Sequence, residues 1–376
     1  MNRVIRRGSS ERRKRLAFRL LLPTAVLGVV LGATLAARDG GSTAPKPTTT
    51  RRPSPSPMSE QKLASLRVNE LGRVPVIEWH EVGEAESRWK VTRKTFKEQL
   101  QRLYDGGYRP VTVADFADGR FDIPAGTTPV VLTFDDADRQ QFYFGENGQP
   151  HPDSVVGILR DFARTHPGWR ETAAFYIYWP LPFREKDRVP QKLKWLVDNG
   201  YELGNHSYGH DNLSSLDDEE VQQSLARLQE EVEKVIPRYR LRSHALPFGL
   251  WPKDRSLAVT GIWEGKRYKH DVVLLVGDEP AYTPHHTRYD PTKVMRVQAF
   301  PPEFDKWLNW LDSGPRRFVS DGDAATISYP RERQDQLRRV RGFSDRAYGS
   351  PGPAASSGPP ATSGPTGSSR PAGSAS

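Results

Sequence analysis

Cysteine is absent from all 376 residues. Its absence excludes disulfides, thiolate zinc sites and a cysteine nucleophile. A dispersed positive charge is missing as well. The formal net charge is +9, but the first sixty residues hold twelve Lys or Arg and three Asp or Glu, so the rest of the chain is neutral overall. That distribution gives no support for a nucleic-acid interface, and no nucleic acid is expected as a partner. There is no internal repeat of useful fidelity, and only one long apolar run, Leu20–Ala37.

That run follows Arg3, Arg6, Arg7, Arg12, Arg13, Lys14 and Arg15. It is long for the core of a signal peptide and just enough for a spanning helix. The basic flank places residues 1–19 in the cytoplasm and everything after Arg38 outside. Leu35 and Ala37 make a poor small-x-small cleavage site, so residues 20–37 read as an uncleaved signal anchor that makes the membrane a partner. Residues 38–70, rich in Pro, Ser and Thr, read as an extended linker. Residues 343–376, mostly Gly, Pro, Ser and Ala, cannot bury enough apolar surface to offset their ordering entropy and are expected to be disordered.

What remains, residues 71–342, is one domain of the size of an α/β barrel. Strands are expected at Val74–Trp79, Pro129–Phe134, Thr172–Tyr178, Glu202–Asn205, Arg242–Leu246 and Asp271–Val276. Helices are expected at Thr95–Gly106, Ser154–Arg164, Pro190–Asn199 and Asp217–Ile236. Strands alternating with helices imply a parallel sheet covered on both faces, with chemistry gathered at the C-terminal strand ends.

Three segments place polar groups at such ends: Thr133-Phe134-Asp135-Asp136, His206-Ser207-Tyr208-Gly209-His210 and Leu246-Pro247-Phe248-Gly249. Two imidazoles at this spacing can meet on one side of a helical turn and chelate one metal ion. One carboxylate would complete a three-ligand site with positions left for water, and its neighbour would be free to take a proton. Singly, each motif is ordinary: an Asp-Asp pair often makes a turn or N-cap, and a His pair often sits on a surface.

Together, in this order, the motifs resemble those of the polysaccharide deacetylase superfamily, carbohydrate esterase family 4. Ala173-Ala174-Phe175-Tyr176 and Gly200-Tyr201-Glu202-Leu203-Gly204-Asn205 are similar to the family's intervening strand and its lead-in to the His pair. The resemblance implies a distorted (β/α) barrel and a divalent metal, usually zinc, held by Asp136, His206 and His210. It also implies Asp135 as general base, the backbone N–H of Phe248 as oxyanion donor, and an N-acetylated polysaccharide as substrate. The sequence departs from the pattern twice. Ala245 stands where the third motif usually carries Arg, and no Leu-x-His appears near the C-terminal end. Both departures resemble the circularly permuted branch that deacetylates poly-N-acetylglucosamine, whose members begin with a segment similar to Val74–Val82. That likeness makes His80 the candidate acid and marks Arg296 as a late feature of the same branch. Trp89, Trp179, Trp251 and Trp263 could line a sugar cleft or equally pack in the core, whereas His244 reads as buried and His285 and His286 as solvated. Two further readings are an inactive, envelope-tethered glycan-binding module and a deacetylase of O-acetyl esters.

Overall fold

The computed structural model describes residues 58–349. The expected basic segment, anchor, most of the linker and the tail beyond Gly349 lie outside the described residues. No helix among the described residues is long and apolar enough to cross a membrane.

The described chain alternates as expected. Its main elements are β1 (Val76–Trp79), α1 (Arg93–Asp105), β2 (Thr128–Phe134), α2 (Val155–Thr165), β3 (Ala174–Ile177), α3 (Val189–Asp198), β4 (Glu202–Asn205), α4 (Asp218–Val235), β5 (Ser243–Ala245), β6 (Val272–Leu274), β7 (Val297–Gln298) and α5 (Pro301–Asp312). The strands form one sheet in the order β6-β5-β4-β3-β2-β1-β7, with every neighbouring pair parallel. The sheet is curled. Val294 bridges Leu274 of β6, while Val297, three residues later, pairs with Ile77 of β1, so both sheet edges meet the same segment.

Helix starts are fixed by side chains. Asp217 accepts from the backbone N–H of Glu220, whose carboxylate accepts from the Asp217 N–H, closing a capping box at the head of α4. Thr92 and Ser154 cap α1 and α2 in the same way from one side.

The two-residue period of the strands sorts their side chains between two cores. Ile77, Trp79, Leu132, Phe134 and Phe175 face the helices, with Trp79 and Phe175 each stacked 5.2 Å from Phe134. Val76, Val131, Ala174 and Tyr176 face the other way and pack with Ala245, Val272 and Leu274. That period therefore sends Glu78, Thr133 and Asp135 to the inner side, and all three are buried. Ordered structure also reaches beyond residues 71–342 at both ends: Glu60–Leu66 is a helix, and Ser344–Tyr348 is a strand parallel to Thr326–Pro330.

Candidate metal centre and its buried carboxylate

β2 ends at Phe134, and the two carboxylates that follow part company. Asp135 stays on the inner side with 1 % of its surface exposed. Asp136 takes a left-handed backbone (φ 73°), which turns its carboxylate toward the loop after β4. There His206 Nε2 lies 3.4 Å and His210 Nε2 3.2 Å from the same Asp136 oxygen. The expected helical turn between the histidines is absent. Left-handed residues at Ser207 (φ 62°) and His210 (φ 57°) fold the segment back instead. Such conformations cost about 1–3 kcal/mol each and persist where the surroundings enforce them. Here the Asn205 side chain accepts from the Ser207 N–H, and the Ser207 hydroxyl accepts from the Asp211 N–H.

The three groups fit a metal ion. His206 Nδ1 lies 2.8 Å from the Ala245 carbonyl; as donor there it leaves Nε2 with its lone pair toward Asp136. Two donors on bonds of about 2.0–2.1 Å in a tetrahedron are roughly 3.3 Å apart, close to the spacing found. Burial acts to raise the Asp136 carboxyl, but the closeness of His206 and His210 outweighs it and holds the group far below the usual carboxylate range.

Asp135 is held by a different residue. Arg296, fully buried just before β7, donates Nη1 and Nη2 to the two Asp135 oxygens, both at 2.8 Å. Its Nε donates to the Leu275 carbonyl at 2.7 Å, and Nη2 also lies 3.1 Å from Glu78. Burial pushes the Asp135 carboxyl up, and the guanidinium more than cancels this, leaving it below its ordinary value. Glu78 goes the other way, raised by burial against the pull of Arg296, with Asp135 adding to the rise. The second Glu78 oxygen accepts from the Gly277 N–H at 2.8 Å. Only glycine allows that approach, because a Cβ at position 277 would sit 2.7 Å from the Gln298 nitrogen.

His80 follows β1 and joins this cluster. Its Nε2 is 3.8 Å from Glu78, and ligand atoms of Glu78, His80 and Asp135 all lie within 4.8 Å of one another. Gln141 donates to the carbonyls of both His80 and Asp135, tying the two strand ends together. The structure thus brings Asp135, Asp136, His80, His206 and His210 to one end of the sheet. Phe248 sits beside them with φ 58°, its ring edge-on to His210 at 4.6 Å and 60 % exposed. Trp89, 43 % exposed, lies against His80 at 4.8 Å. Trp263 packs instead with Val221, Leu225 and Tyr268.

Sequence reasoning missed Glu78, although an acidic residue inside the apolar stretch Val76–Trp79 was a signal. His285 and His286 are buried, not solvated as expected. His285 Nε2 is 2.7 Å from the Gly119 carbonyl under the domain's surface. His244 is buried as expected, sharing the Ala258 carbonyl with His270. Arg296 brings a guanidinium to Asp135 from another element, while Ala245 packs its methyl in the inner core and offers its carbonyl to His206.

The parallel α/β sheet thus carries at its strand ends an Asp-His-His trio that could hold a metal ion and, beside it, a second carboxylate clamped by Arg296. Residues 122–261 match the family model described as polysaccharide deacetylase. A chitooligosaccharide deacetylase of Sinorhizobium fredii is 27% identical over 129 residues, 34% of this chain and 51% of the relative. One from Bradyrhizobium is 25% identical over 130 residues, 35% of this chain and 50% of the relative. The chain thus spans about half the length of the curated relatives it matches. Among solved structures, IcaB from Ammonifex degensii aligns at 20% identity over 64% of this chain and 97% of its own, with a TM-score of 0.45. A polysaccharide deacetylase from Bacillus cereus aligns at 18% over 63% of this chain and 69% of its own, with a TM-score of 0.46.

Proposed function

We propose that this protein is a metal-dependent deacetylase that removes N-acetyl groups from an extracytoplasmic glycan, such as an N-acetylglucosamine polymer. The observation that carries the reading is the approach of His206 and His210 to one oxygen of Asp136, with Asp135 alongside but committed to Arg296. The curled parallel sheet whose edges meet at Val294–Val297 supports the distorted barrel expected from the motifs. Residues 20–37 remain our proposed membrane anchor, placing the domain outside the cytoplasm.

In this reading Asp136, His206 and His210 hold a divalent ion, and the nitrogen-rich donor set favours zinc. When bound, that ion supplies Lewis-acid polarisation of the acetyl carbonyl. Asp135, kept ionised by Arg296, takes a proton from the attacking water at its carboxylate oxygen. His80 gives a proton to the departing amine nitrogen, with the Glu78 carboxylate 3.8 Å from its Nε2 on the cluster side. The Phe248 N–H meets the oxygen that becomes negative at the tetrahedral stage. The exposed rings of Trp89 and Phe248 offer apolar faces to pyranose rings entering on either side.

Amine release from N-acetylglucosamine oligomers, measured before and after chelation, tests the proposal. Release that stops with the chelator and returns with zinc is expected, and undiminished release in the metal-free protein would refute it. An inactive module would bind oligomers without releasing amine. An ester deacetylase would free acetate from acetylated xylan and leave the amide untouched.

A further inference from the structure

At the other end of the sheet from the metal centre, four arginines line a cavity of about 560 Å³. Arg73 precedes β1, whereas His80 follows it, so the cavity lies roughly 20 Å from the chemistry at about 3.3 Å per strand residue. The guanidinium of Arg73 lies 3.9 Å over the ring of Tyr282, and that of Arg288 lies 5.0 Å from the same ring. Arg316 lies 4.9 Å from the ring of Trp310. Arg333 enters from the short helix Arg331–Gln336 and completes the lining.

The charge there is unbalanced. Arg73 is paired with Glu279 at 2.8 Å, but Arg288, Arg316 and Arg333 have no carboxylate partner among the described residues. Asp335 is the only acidic residue of the lining. A domain that is neutral overall gathers like charges in one concavity only at a cost, which a bound anion would remove. His286 registers the local potential. Burial lowers it first, and Arg288, Arg73 and Arg333 help bring it to about 4.

We propose that this cavity is a binding site for an anionic saccharide, the guanidiniums taking its carboxylate or phosphate and Tyr282 and Trp310 walling its ring. Forked guanidiniums match both oxyanions, and their stacking on aromatic rings fixes them before the ligand arrives. An acidic envelope glycan held here would keep the domain on the polymer mesh in which its substrate lies. The site is independent of the metal centre and stands whether or not the catalytic reading does.

Calorimetry on the full chain with glucuronate, glucose 6-phosphate, glucose, inorganic phosphate and tetraglutamate tests it. At least one of the two anionic sugars binds, the stronger one identifying the oxyanion, and glucose does not. Arg288→Gln and Arg316→Gln, both at exposed positions, each weaken that binding by about tenfold. Amine release from N-acetylglucosamine oligomers is unchanged in both variants. Three results would overturn the proposal: glucose binding as well as the anionic sugars, phosphate or tetraglutamate binding as tightly as they do, or full affinity in the double variant.

Discussion

Arg296 does two jobs, since it neutralises two buried carboxylates and fixes the direction of one. A buried carboxylate without a partner is expensive, so Arg296→Ala should destabilise the domain by about 3–5 kcal/mol in urea titration. Arg296→Lys separates charge from geometry. It keeps a cation near Asp135 but cannot donate from a planar fork. That variant should stay folded with its metal in place, while kcat falls and KM moves little. A parallel rise in KM would show that Arg296 serves binding and not the orientation of the base. His80→Ala, in turn, should slow amine release by about a hundredfold, the usual worth of a general acid, and slow ester cleavage less. Wild-type amide turnover in that variant would move the proton source elsewhere.

The segment after Asp136 is long, and its order comes from a neighbouring helix. Lys192 of α3 is fully buried and donates Nζ to the carbonyls of Phe142 (2.7 Å) and Phe183 (3.1 Å), with Glu185 at 2.6 Å. The Phe183 N–H in turn donates to the Ala137 carbonyl, directly beside Asp136. Lys192→Met would leave both carbonyls without a donor and should cost about 2 kcal/mol by thermal or chemical denaturation. An unchanged midpoint would mean that the loop orders itself. The same scale separates what the sequence revealed from what it hid. β2 was legible because its continuous apolar run ends directly in two carboxylates, whereas β4, Glu-Leu-Gly-Asn, was marked only by the His-Ser-Tyr-Gly-His cluster that follows it. Arg296 and Asp135 meet across 161 positions, a pairing that no local pattern encodes. The strand Ser344–Tyr348 was read as part of a tail because its sequence, Ser-Asp-Arg-Ala-Tyr, lacks an apolar alternation. Its partner Thr326–Pro330, not its own composition, makes it a strand.

For the molecule as a whole, buried neutral histidines contribute to the response to mild acid. His270 is buried against the Ala258 carbonyl, and burial lowers it to about 4. Its pKa is therefore lower folded than unfolded, and protons bind the unfolded chain more readily. The stability tied to it is complete above about 6.5 and is lost as pH falls toward 4, by at most about 3 kcal/mol. His270→Asn, which retains a donor for Ala258, should flatten this part of the pH–stability curve; an identical curve would place the acid sensitivity in other groups. In the proposed reaction one cluster separates two carboxylate roles, with Asp136 on the metal and Asp135 on the proton. The most direct test measures zinc content and amine release together in wild type, Asp135→Asn and Asp136→Asn. One zinc per chain is expected in wild type and in Asp135→Asn, weakened binding in Asp136→Asn, and turnover in wild type alone. An Asp135→Asn protein that keeps its turnover, or one that loses its zinc while Asp136→Asn retains it, would contradict the assignment.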